Sequence, residues 1–282
     1  MNVILIPFFL AANVVVNDTS EWTFGPEYVY DLNITYIQNF HEHHKPEQVQ
    51  LISTVKCRPK MPDNLFCYLT NFTESDNYNI TREILARGTF EIKFNKHGVK
   101  GLIIDLPLSN TVIVNILRKI ANQFNVIVDQ GKIGISQFMI RENSSMGNCA
   151  TTYDITREKV ETDTLEKENA DFRLVILPLA DAKPGTTLSI EKSRTECINS
   201  PRYIDFTMEI LEMERFVSKI QINSNKFETF TEFDGKAKRL VGYKFEVSSL
   251  KELIQINLNS IKPAKNKLPT LLHGKLIDFN FK

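Results

Sequence analysis

Metal-binding and acid–base chemistry in this chain could be concentrated in one place, His41-Glu42-His43-His44 with Glu47 close behind. Imidazoles and carboxylates are zinc ligands, and a loop can fold several onto one ion. The spacing is not His-Glu-x-x-His, however, and residues 41 and 43 share a side only in an extended segment. Lying in a polar stretch just before Pro46, the cluster reads first as a solvated loop, with His41, His43 and His44 as weak metal candidates. Such a loop gains positive charge as pH falls through roughly 6.5, which would matter in an endosome. No other catalytic pattern stands out. Gly134-Ile135-Ser136-Gln137 is not followed by Gly and fails the nucleophile-elbow pattern. Phosphate-cradling glycine motifs are absent and the cysteines lack Cys-x-x-Cys spacing, so no enzyme activity and no cofactor are expected. A secreted hydrolase or metalloenzyme built on the histidines is the weakest of the functional readings.

Modification chemistry is better represented. Asn-x-Ser/Thr sequons occur at Asn17, Asn33, Asn71, Asn79 and Asn143, none with an intervening Pro, and five in one chain suggest a glycosylated surface. The four cysteines, Cys57, Cys67, Cys149 and Cys197, allow three pairings in an oxidising compartment. The favoured set is Cys57–Cys67, closing a short loop across Pro59 and Pro62, with Cys149–Cys197 as a long-range staple; four buried free thiols are the competing reading. Met1 to Val16 carry no charge, and Val3 to Ala12 form an apolar run of signal-peptide length ending in small residues. Residues 1–16 are therefore expected to be a signal peptide, against the alternative of a buried N-terminal strand, and the protein to be secreted. That run falls short of the roughly 20 residues a membrane helix needs, and no other stretch is long enough. Lys262, Lys265 and Lys267 form a basic cluster, read either as edge protection or as contact with a receptor or anionic partner.

The bulk numbers frame these sites. With 34 Lys+Arg against 34 Asp+Glu over 282 residues, the chain lacks the basic excess of a nucleic-acid binder, and 42% hydrophobic content supports a buried core. Period-two alternation dominates: Tyr28, Tyr30, Leu32, Ile34 and Tyr36; Val49 to Val55; Leu65, Cys67 and Leu69; Phe90 to Phe94; Leu188 and Ile190; Tyr243 to Val247; Ile254 to Leu258; and Ile277 to Phe281. Asn95-Lys96-His97-Gly98, Lys183-Pro184-Gly185 and Phe233-Asp234-Gly235 read as turns between strands. Ile204 to Val217 reads as strand, although Phe206, Ile210, Met213 and Val217 also fit a helix. Charged Thr156 to Asn169 reads as a mobile excursion. The exception to the rhythm is Ser109 to Phe124, where Val112, Ile113, Ile116, Leu117, Ile120, Ala121 and Phe124 recur at helical spacing. Ser109 or Asn110 can cap this single helix, packed either inside a curled sheet or on a flat one. No linker divides the chain, so residues 17–282 are expected to form one domain.

Several stretches together resemble the vitellogenin N-terminal domain, the first module of large lipid transfer proteins. Trp22-Thr23-Phe24-Gly25-Pro26-Glu27-Tyr28-Val29-Tyr30 is similar to its opening strand, and Leu108 to Ala121, with Val114-Asn115-Ile116-Leu117, to its one helix. Gly147-Asn148-Cys149 with Thr152-Tyr153-Asp154-Ile155 resembles its Gly-x-Cys…Tyr segment, and Ile190-Glu191-Lys192-Ser193-Arg194 to Cys197 the partner strand whose cysteine is bridged to the earlier one. The resemblance covers about Glu21 to Lys282. It supports the Cys149–Cys197 pairing and implies a mainly β, barrel-like antiparallel sheet around one central helix. It also implies secretion, glycosylation, lipid transport, yolk nutrition and receptor binding. Family members normally continue into a helical domain and further sheets that form the lipid cavity, where this chain stops. The expected function is thus a secreted vitellogenin-like glycoprotein that binds a lipoprotein or cell-surface receptor, with lipid as a candidate ligand. A storage glycoprotein without saturable lipid binding is the alternative.

Overall fold

The computed structural model describes residues 1–39, 46–60, 62–76, 81–84, 88–104, 111–126, 135–144, 147–159, 171–177, 186–198, 203–204, 210–241, 244–271 and 274–278. Its strands are β1 (Asn2–Ile6), β2 (Leu10–Val14), β3 (Pro26–Asn39), β4 (Glu47–Lys60), β5 (Asn64–Leu69), β6 (Phe72–Asp76), β7 (Thr81–Ile84), β8 (Gly88–Asn95) and β9 (Gly98–Ile104). After the helix α1 (Thr111–Gln123) come β10 (Gln137–Ser144), β11 (Gly147–Lys159), β12 (Phe172–Ile176), β13 (Thr186–Ile198), β14 (Tyr203–Ile204), β15 (Ile210–Ile222), β16 (Phe227–Val241), β17 (Lys244–Pro263) and β18 (Lys275–Asp278).

Alternation builds the main sheet. In β3, Tyr28, Tyr30, Leu32, Ile34 and Tyr36 are buried while Asp31, Asn33 and Thr35 lie on the other face. Burial of each such side chain stabilises the fold by about 1.5–3 kcal/mol. Neighbouring strands repeat the phase, and the path runs β10-β11-β13-β15-β16-β17-β3-β4-β5-β8-β9-β18, with β14 on β15, β6 on β4 and β7 on β6. Every described pairing is antiparallel, for which one packed and one solvated face is the common arrangement. The expectation of a barrel needs correction. β10 and β18 end the path without pairing to each other, so among the described residues the sheet is curved but open. Barrel closure depends on whether the terminal strands meet, which no strand's own pattern encodes.

Both cysteine pairs are bridged. Cys57 and Cys67 face each other across β4 and β5, and Cys149 joins Cys197 between β11 and β13 at a register shift. With sequence separations of 10 and 48, loop-closure entropy assigns the bridges about 3 and about 4 kcal/mol.

Two local expectations change. Phe233-Asp234-Gly235 is not a turn but the interior of β16, opposite a bulge between Met213 and Arg215. Gly235 is required there because a Cβ would overlap the Glu212 carbonyl oxygen. Thr156 to Lys159 continue β11, paired with Ser189 to Thr186, and the rest of that charged stretch, 160–169, lies outside the described residues. Residues 210–222 form β15, where the strand reading holds; residues 205–209 are outside the description. Asn95 to Gly98 do turn, between β8 and β9. Gly98 has φ +94, and Asn125 Oδ1, which accepts from Val99 N at 2.8 Å, occupies the space a Cβ would need. Gly98→Ala therefore costs about 1–3 kcal/mol, read as a lower urea midpoint.

The apolar run at the N-terminus forms the hairpin β1–β2, which pairs through β2 with β12 in a separate three-stranded sheet. Val3, Leu5, Ile6, Phe9, Leu10, Ala12 and Val14 join the same core as the main sheet.

Candidate functional site on the concave face

The inner face of the sheet is apolar at its middle and polar along one band. In β13 the inward row is Leu188, Ile190, Lys192, Arg194, so the alternation that builds the strand carries two cations into the interior. Register places Lys192 beside Tyr153 of β11 and Ser218 of β15, and Arg194 beside Thr151 and Phe216. Glu142, from the edge strand β10, completes the cluster. Its Oε1 accepts from Arg194 Nε at 3.0 Å and lies 2.8 Å from Nη2 as an ion pair, and its Oε2 accepts from the Tyr153 hydroxyl at 2.6 Å. Arg194 Nη1 donates to Ser218 Oγ at 3.1 Å, and its guanidinium lies over the Phe216 ring at 4.7 Å.

Burial pushes the Glu142 carboxyl up. The charges of Arg194 and Lys192, with hydrogen bonds from Tyr153 and Arg194, outweigh burial and hold the carboxyl below its ordinary value. Lys192 goes the other way: burial, against the attraction of Glu142 and with repulsion from Arg194, lowers it to about 7. Its Nζ lies 5.4 Å from the Tyr153 ring centre and donates to the Asn125 carbonyl just past α1. The unfolded chain holds this proton up to about 10.4 while the folded chain releases it near 7, so this group makes stability rise with pH between those values. Lys192→Met removes that rise. Urea midpoints at pH 7, 8 and 9 should converge in the variant relative to the parent protein.

The same polar band seats α1. Lys119 Nζ donates to both Glu252 carboxylate oxygens, at 2.6 and 2.7 Å, beneath the Tyr36 ring. Gln123 Oε1 accepts from Thr229 Oγ1 at 3.0 Å and Thr231 Oγ1 at 2.9 Å. Just beyond the helix, Phe124 meets Tyr30 edge-on at 5.2 Å and stacks with Phe227 at 6.1 Å. The helix region thus draws its partners from β3, β13, β16 and β17, and α1 also lies against β9 and β14. Among the described residues Lys192 and Glu142 are both buried, and the bonds they make are those of a structural seat.

The site residues expected from sequence are scattered by comparison. Asn17 is exposed just before a short 3-10 turn. Asn33 lies on the solvent-side row of β3, where Gln50 Nε2 donates to its Oδ1 at 3.1 Å. Asn71 joins β5 to β6 and donates to Glu83. Asn143 lies near the end of β10, accepting from Asn148 Nδ2 at 2.6 Å. Lys262, Lys265 and Lys267 are exposed; Lys262 pairs in register with Glu27, and Arg58 pins the adjoining loop by donating to the Asn266 carbonyl at 2.8 Å. His41, His43, His44 and Asn79 lie outside the described residues. The buried cluster was missed, although one signal for it was present: Lys192 and Arg194 stand in phase with Leu188 and Ile190.

Among the described residues, no helix is long and apolar enough to cross a membrane, which says nothing of strands. No family model matches the chain. No curated protein matches it either. A solved structure of lipovitellin, determined for lipid–protein interactions, is similar to it with a TM-score of 0.59 at 12% identity. The similarity covers 92% of this chain and 28% of the lipovitellin chain, so this chain spans under a third of that protein. At that identity the likeness establishes the fold: a mostly antiparallel sheet with one helix, arranged as in lipovitellin.

Proposed function

We propose that the protein is a secreted, glycosylated binding module of the vitellogenin type, which recognises a lipoprotein or cell-surface receptor and associates with lipid through that partner. The observation that carries this reading is the lipovitellin-like fold over 92% of the chain. Two bridged cysteine pairs favour an oxidising compartment. In this reading residues 1–16 are the leader removed on secretion, and Asn17, Asn33, Asn71, Asn79 and Asn143 are the glycan acceptors. Lys262, Lys265 and Lys267 supply the basic contact to the partner. The reading is non-catalytic.

The test is capture from extracellular fluid with the purified glycoprotein, followed by protein and lipid mass spectrometry. Saturable recovery of a lipoprotein or receptor, weakened by replacing the three lysines together with Ser, is the expected result. Abundant protein with no saturable partner or lipid would instead assign it to storage.

A further inference from the structure

The place filled by residues 1–14 has a chemistry of its own. β2 lies against β12 in five antiparallel pairs, Leu10–Ile176 through Val14–Phe172. Val15 N donates to the Asp171 carbonyl at 3.0 Å and Leu177 N to the Phe9 carbonyl at 2.9 Å, extending the ladder at both ends. Antiparallel alternation then turns the N–H groups of Ala11 and Asn13 toward β12, and those of Ala12 and Val14 toward β1. Among the described residues, the far side of β12 has one backbone bond, from Leu174 N to the Ser224 carbonyl at 2.6 Å. Below the hairpin, the Tyr28 hydroxyl donates to the Ile4 carbonyl at 2.6 Å. The neighbouring Tyr30 hydroxyl is fully buried and has no hydrogen-bond partner among the described residues. Burial raises both phenols, so both stay protonated as donors at neutral pH.

Removal of the leader, by hydrolysis of the peptide bond at its C-terminal end, leaves a strand-shaped slot with three demands. β12 loses its whole ladder, Tyr28 loses a carbonyl acceptor, and the inward positions held by Leu10, Ala12 and Val14 fall empty. An acyl chain answers the third demand and cannot answer the first, because it has no groups to pair with a row of N–H and C=O. A polypeptide strand in the place of β2 answers the first and third, and a return strand in the place of β1 answers the second.

We infer that in the secreted protein this slot is completed by an extended segment of a partner polypeptide, with apolar, small and apolar side chains at alternate positions, which adds to β12 as a strand. The inference rests on the secretion reading above. The partner supplies in trans the pairing that the leader makes in cis. The segment doubles back as the leader does, and its return strand, in the place of β1, offers Tyr28 the carbonyl that Ile4 supplies in cis.

The experiment uses the secreted glycoprotein, its N-terminus read by intact mass after deglycosylation. The probe is a synthetic peptide of residues 1–16 with a solubilising lysine tag, alongside the same peptide N-methylated at Ala11 and Asn13, and oleate. The expected results are a mature chain lacking residues 1–16, saturable binding of the plain peptide, and binding about tenfold weaker or less for the N-methylated form. Tyr28→Phe weakens the plain peptide severalfold while the far-ultraviolet circular dichroism spectrum stays unchanged. Equal binding of the two peptides, displacement by oleate, absence of peptide binding, or a secreted chain that retains residues 1–16 would each overturn the inference. The peptide titration needs no receptor or lipoprotein, so failure of the capture experiment and failure of strand addition are separate outcomes.

Discussion

Glu142→Gln lowers folding stability by about 3–5 kcal/mol, the range for removing one partner of a buried ion pair. Gln preserves the shape of the side chain and one acceptor oxygen, so the loss is not a packing defect. What it removes is the only anion within hydrogen-bonding reach of Arg194 among the described residues. The Arg194 and Glu142 side chains are 0% and 4% exposed, which leaves little water to stand in. Lys192 shares the same anion and becomes harder to protonate in the variant. The pH dependence gives a second readout. The folded Glu142 carboxyl titrates below its ordinary value, so the unfolded chain takes up the proton first as pH falls. The stabilisation is full above the unfolded pKa and is lost as pH drops through the folded one. Glu142→Gln should lose that acid-side slope as well as the stability at pH 7, both measured by urea denaturation. A variant as stable as the parent would mean that Arg194 is solvated in the native protein, contrary to its burial.

The lesson for reading such a chain lies in phase rather than in composition. The Tyr28-to-Tyr36 alternation and the Val112-to-Phe124 spacing identify β3 and α1 because apolar side chains declare which face is buried. Lys192, Arg194 and Glu252 occupy the same inward phase as Ile190 and Ile254, yet a charged residue in a strand is read by default as facing water. Nothing local to β13 says that Glu142, fifty residues earlier, will neutralise it; pairing across β10, β11 and β13 does that. Asp234-Gly235 shows the opposite error. Its turn-forming residue types serve a bulge, and only the register of β15 against β16 tells the two uses apart. At the N-terminus, an uncharged run of ten or so residues satisfies a leader and a buried hairpin equally well, since periodicity does not separate short apolar runs. The open sheet belongs to the same class, because the fate of an edge is decided by strands far apart in sequence.

Lys119→Leu carries the second large effect, about 3–5 kcal/mol, and it tests what holds the helix in the sheet. Lys119 is the only cation bonded to Glu252 among the described residues, and the Glu252 side chain is 2% exposed. Truncating the cation leaves a carboxylate buried between α1 and β17 with no compensation. The apolar face of α1, with Leu117, Ile120 and Phe124, is untouched, so a helix held only by hydrophobic packing would hardly respond. Combining Lys119→Leu with Glu252→Leu removes both charges at nearly constant volume and should restore most of the loss, so the coupling energy in the double-mutant cycle is at least as large as the loss restored. Hydrogen exchange of the α1 amides separates two explanations that global stability merges. Fast exchange in the single variant that returns to normal in the double variant assigns the cost to an uncompensated charge. Fast exchange in both would show that the ion pair, with Gln123 on Thr229 and Thr231, sets the register of the helix on the sheet, and that apolar packing alone allows it to slide.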